Sequence, residues 1–178
     1  MSVRLLPLLL LACMLTPVLS VAQQPAATAS SAQPGVISAA DAAQILPATV
    51  FFRGLSAPIQ GRNSGGVRFA DKKLMLTALV DTSGYSTQVK EKYQAYLITE
   101  SAIEIGGQKL APGAYGCGFV GDDNFVVQDI GAHDLFTVKS VRDAGLRRPT
   151  PLQVVVATDG GYRLYAGRSY VSFKLAGQ

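Results

Sequence analysis

From residue 49 onward, apolar and polar side chains alternate in short runs rather than recurring every three or four positions. Runs rich in β-branched and aromatic residues cover 49–53, 66–69, 73–80, 96–99, 102–105, 114–120, 125–130, 135–139, 152–157, 162–166 and 170–175. Clusters of Gly, Asp, Asn and Ser separate them, as at 63–66, 81–84, 106–107, 121–123 and 159–161. Many short strands at this spacing predict an all-β protein: an antiparallel β-sandwich or a flattened barrel.

Two hairpins stand out. Ile103 and Ile105 lead through Gly106-Gly107 to Lys109 and Leu110, the signature of a two-residue turn. In the last two runs the period of two places Val171, Phe173 and Leu175 on the core face, and Tyr170 and Lys174 on the other, beside Arg163 and Tyr165 if these strands pair. One short N-terminal helix is predicted over 39–46, where Ser38 suits the N-cap, Asp41 favours the first turn and Pro47 stops the run. Residues 87–93 are compatible with a further helical turn or two.

The N-terminus has a different pattern. Arg4 precedes an apolar, uncharged stretch over 5–19, and Ser20-Val21-Ala22 places small residues at −3 and −1 of a cleavage site after Ala22. This reads as a signal peptide over 1–22. The stretch is interrupted by Pro7 and Pro17 and is shorter than the ~20 residues a membrane-spanning helix needs. Leu10-Leu11-Ala12-Cys13 offers a competing reading, a lipoprotein leader acylated at Cys13. Residues 23–36 carry almost only small and polar side chains plus proline, and read as a disordered spacer before a single β-rich domain over 37–178. The protein is thus expected to be exported, periplasmic or secreted.

Composition narrows the chemistry. Beyond the leader the only cysteine is Cys117, so no intrachain disulfide is available. Alternation puts Cys117 on one strand face with Tyr115 and Phe119, a buried and inert position, while Gly116 and Gly118 point the other way and call for something packed closely against them. Charge is segregated: residues 71–138 hold 5 Lys against 9 acidic residues, whereas 139–178 hold 7 Lys and Arg against 2 Asp. The overall balance of +4 lacks the dense basic clustering of a nucleic-acid binder.

No nucleophile elbow, phosphate loop or Ser-x-x-Lys pair occurs, and no cofactor motif is present. The single histidine, His133, is the only candidate imidazole base, and simple alternation makes Asp129 and Asp134 poor orienters for it. A metal-dependent or small-molecule enzyme centred on His133 with Asp122, Asp123 and Asp129 is the alternative reading. The leading one is a non-catalytic binding module for a protein or an anionic envelope component. Its candidate face comprises Arg163, Tyr165, Tyr170 and Lys174, extended by Arg147 and Arg148. Among the tyrosines, Tyr85, Tyr93 and Tyr96 are further candidate aromatic platforms.

Leu110-Ala111-Pro112-Gly113-Ala114-Tyr115 resembles the L-x-P-G-x-Y step at a strand start in exported bacterial β-sandwich proteins of uncharacterised function, and a similar step occurs in transthyretin-like sandwich modules. The resemblance implies export and a sandwich fold, with Pro and Gly shaping the turn and Tyr packing inward. It implies no site.

Overall fold

The computed structural model describes residues 33–177. The expected leader, Cys13 and most of the expected spacer lie outside them. Two antiparallel sheets form a sandwich, and neither closes into a barrel.

The first sheet contains β1 (Gly35–Ile37), β3 (Leu55–Arg68), β4 (Leu74–Val80), β5 (Ala95–Thr99), β8 (Gly113–Val120), β9 (Asn124–Gln128) and β10 (Asp134–Lys139) in that order, with β2 (Thr49–Phe52) paired to the early part of β3. The second runs β12 (Gln153–Val156), β13 (Tyr162–Ala166), β14 (Ser169–Leu175), β6 (Ile103–Ile105), β7 (Gln108–Leu110), with β11 (Val141–Arg142) beside β14. Both predicted hairpins form: Ile105 pairs with Gln108 across Gly106-Gly107, and Tyr165 pairs with Tyr170.

The inward faces meet in one apolar layer. Val67, Met75, Leu97, Cys117, Phe125 and Val127 from the first sheet pack against Ile103, Ile105, Val154, Leu164, Val171 and Phe173 from the second. Burial of such side chains stabilises by roughly 1.5–3 kcal/mol each, and the period of two is what delivers them all to one side.

The outer face of the first sheet is covered as well. Helix α1 (Ala39–Ile45) starts where Ser38 Oγ accepts from the Asp41 amide at 3.2 Å and donates to the Asp41 carboxylate at 2.7 Å. It buries Ala42, with Leu46 just beyond its end, against Leu76 and Ala78. Helix α2 (Thr87–Lys92) and β2 cover the other end, where Phe52 stacks on Tyr93 at 3.7 Å and Tyr85 meets Tyr93 edge-on at 5.4 Å. This second helix was open in the sequence, since six residues give little periodicity.

Gly116 and Gly118 face this outer layer. A Cβ on Gly116 would fall on the Phe52 and Tyr93 rings, and one on Gly118 on the Lys92 carbonyl. The side-chain amide of Gln94 continues the ladder there, donating to the Phe119 carbonyl at 2.8 Å and accepting from the Phe119 amide at 3.0 Å.

Three expectations need correcting. The spacer expected over 23–36 overlaps β1 at Gly35 and Val36, which pair with Arg68 and Val67 and so belong to the sheet. The segment 55–60 is strand, missed because Pro58 and its polar neighbours obscure the alternation; Pro58 sits opposite Thr49, and its carbonyl accepts from Asp81. The cluster 63–66 is no turn between strands. Gly61, Arg62 and Asn63 bulge out of β3, and Ser64, Gly65 and Gly66 continue the strand against Ala78, Thr77 and Leu76. Any side chain at Gly66 would collide with the Met75 carbonyl of β4.

Candidate functional site

Neither helix lies on the second sheet; both pack against the first. The strands of the second sheet carry the cations Lys109, Arg142, Arg163 and Lys174 and one anion, Glu104. Because Leu164, Val171 and Phe173 point into the core, alternation sends Arg163, Tyr165, Tyr170, Ser172 and Lys174 outward.

Cross-strand register builds the site. Arg163 stands opposite Ser172 and diagonal to Tyr170, which brings its guanidinium carbon to 4.4 Å above the Tyr170 ring. A cation held over an aromatic face at that distance contributes ~0.5–1 kcal/mol where partly exposed and keeps the guanidinium fixed in orientation. Across β6, Lys174 faces Glu104 at 3.8 Å. The pair is half-exposed and therefore a weak restraint.

Tyr165 does a different job from the one expected. It is only 2% exposed. Its ring lies 5.0 Å from that of Tyr170, and its hydroxyl donates to Asp143 Oδ2 at 2.9 Å. Burial, partly offset by Arg163 and reinforced by Asp143, raises its pKa. It supports Tyr170 from behind and pins the start of the loop after β11. That loop is held further by Arg168, whose Nη1 donates to the carbonyls of Ala144 and Leu146, and by Gly167, whose amide donates to Thr150.

Arg147 and Arg148 are exposed on the same loop, at the Gly167 end of the β13–β14 hairpin. Lys174 lies toward the opposite end of β14, five residues and roughly 17 Å from Ser169 at ~3.3 Å per residue. The five candidates other than the buried Tyr165 therefore make a stripe, not a pocket. Sequence reasoning missed two members. Gln153 stands opposite Tyr165 on β12, and its Nε2, like Arg163 Nε, is buried without a partner among the described residues. Asp143 had no local signal, because its contact with Tyr165 spans 22 positions.

The His133 group assembles only in part. The five-residue turn between β9 and β10 brings His133 Nδ1 to 2.9 Å from Asp129 Oδ2, and Asp129 Oδ1 accepts from the amides of Gly131 and His133. Asp129 is thus the partner of His133, contrary to the expectation from alternation, which does not extend through a turn. These donors, His133 first, hold the Asp129 carboxyl below its usual pKa. Asp122 and Asp123 lie at the far end of β9, in the turn before it, so the strand separates the two halves of the expected metal set. Among the described residues no three His, Cys, Asp or Glu side chains form a metal-binding group.

Comparison with family models, curated proteins and solved structures finds no match. The chemistry of the site rests on its own geometry. Of the other tyrosine platforms, Tyr85 and Tyr93 are withdrawn into the aromatic stack under the first sheet, with the Tyr85 hydroxyl bonded to the Phe52 carbonyl at 2.9 Å, and Tyr96 is half-buried beside them. Cys117 lies in the core at 1% exposure, where burial pushes its thiol up to about 12. No helix of the described residues is long and apolar enough to cross a membrane.

Proposed function

We propose that the protein is an exported, non-catalytic binding module that captures an anionic partner on the outer face of its second sheet. The observation that carries this reading is Arg163, laid over Tyr170 on a face that both helices leave free. On and around this face Arg163, Lys174, Lys109, Arg147 and Arg148 outnumber Glu104, Asp143 and Asp159, and an excess of cations favours an anionic partner, since each surface Lys or Arg near an anionic surface contributes about 1 kcal/mol. Export is read from the charged, apolar and small-residue succession over 1–22.

The test uses the chain expressed with its leader in a bacterial host. The exported form is expected to begin at Gln23 by intact mass, and to co-sediment with phosphatidylglycerol vesicles or bind poly-glutamate resin in a salt-dependent way. Arg163→Glu and Lys174→Glu should each lower retention at least fivefold, with the far-UV circular dichroism unchanged. Retention equal to the parent would overturn the face. An acylated chain beginning at Cys13 would replace the cleaved leader with a lipid anchor.

A further inference from the structure

A cleft of about 230 Å³ lies where three segments far apart in sequence meet: the β2–β3 turn at Arg53, α2 at Gln88 and Lys92, and the β9–β10 turn with Gln128, Ala132 and His133. The two turns are joined by the Arg53 amide, which donates to the Ile130 carbonyl at 2.7 Å. Both carry a non-glycine residue in the left-handed region, Arg53 at φ +48° and Ala132 at φ +69°. Such conformations cost of order 1 kcal/mol each and persist where the surroundings impose them.

The lining is polar in a specific way. Gln128 is 4% exposed. Its Nε2 donates to Asp134 Oδ1 at 2.8 Å and to the Ala132 carbonyl at 3.4 Å, which fixes the amide so that Oε1 is the remaining acceptor. That oxygen is buried and has no partner among the described residues. A buried carbonyl without a donor is unfavourable by about 1–3 kcal/mol, and because Gln128 lines the cleft, a small shift of that lining would let a ligand donor reach the oxygen and relieve this cost. Lys92 is neutralised by its ion pair with Asp134. Arg53 has no ion-pair partner among the described residues and is the uncompensated cation of the cleft. His133 Nδ1 is engaged by Asp129, which leaves Nε2 as its free ring atom.

We propose that this cleft binds a small carboxylate that also carries a hydroxyl or amino group, its carboxylate on Arg53 and its donor on Gln128 Oε1, with His133 at the rim. The volume lies below the ~300–1,000 Å³ of sites for drug-sized molecules, which suits an acid of a few carbons. This site shares no residue with the second-sheet face, so either can fail without the other.

The probes are glycolate, serine and acetate, titrated into the 15N-labelled protein. Glycolate and serine are expected to shift the amides of Arg53, Gln128 and His133 with at least tenfold tighter binding than acetate, which lacks the donor. Gln128→Met should abolish that preference and leave acetate binding unchanged. Arg53→Gln, on an exposed turn, should weaken all three, and serves as the test if Gln128→Met does not fold. Equal binding of glycolate and acetate, shifts confined to other residues, or an Arg53→Gln protein that binds like the parent would overturn the proposal.

Discussion

Strand β8 presents opposite chemistries at adjacent residues. Cys117 points into the inter-sheet core, while Gly116 and Gly118 are covered by rings and backbone from the outer layer. The position of the thiol was legible from alternation with Tyr115 and Phe119. The glycines could be recognised as places of close approach, but not what approaches them, because Phe52 and Tyr93 come from segments 64 and 23 residues away from Gly116. Raising the thiol from 9.0 to about 12 lowers its thiolate fraction at neutral pH by roughly a thousandfold. Cys117 is therefore expected to resist Ellman's reagent in the folded protein and to react fully once urea unfolds it. Rapid labelling without denaturant would contradict its burial.

At the scale of elements, hairpins and the capped helix were readable because each is encoded within about ten residues: Ser38 with Asp41, Gly106-Gly107 between Ile105 and Gln108. Features requiring distant partners were not. The strand over 55–60 is set by its pairing to β2 and β4, and the Asp129–His133 contact by turn geometry that a period of two does not describe. Docking of α2 depends on such a distant fit. Its last carbonyls reach the sheet only because Gly118 has no side chain, and Gln94 then repairs the ladder at Phe119. Gly118→Ala would force a methyl group onto the Lys92 carbonyl, which is backbone and cannot swing away. A loss of roughly 1–3 kcal/mol is expected from urea unfolding, the range for overpacking a fitted interior. Gly84→Ala, where a Cβ meets open space, should stay within about 0.5 kcal/mol as an ordinary surface change.

Across the whole molecule, one feature set separates the outer layer of the first sheet from the core beneath it: the layer is fastened by carboxylates. Asp81 accepts from the Ser83 amide at 3.0 Å ahead of α2, Asp129 holds the β9–β10 turn, and Asp134 ties Lys92 of α2 to Gln128. Each of the three has its pKa lowered, through hydrogen bonds from Ser83, His133 and Lys92 respectively. A carboxyl whose folded pKa lies below its unfolded one contributes stability that is fully present above the ordinary value of 3.8 and disappears as pH falls through the lowered value. The inter-sheet core contains no ionisable carboxylate to lose, since its members are apolar side chains and Cys117. Acid should accordingly loosen the molecule in order. As pH falls below 3.8, hydrogen exchange is expected to rise first at residues 81–93 and 129–134, while β5, β8 and β14 keep their protection. Local opening of this kind would also empty the cleft between Arg53 and His133 before global unfolding, because all three of its walls belong to the layer that carboxylates secure. Uniform loss of protection across both sheets at one pH would show that the outer layer and the core are a single cooperative unit.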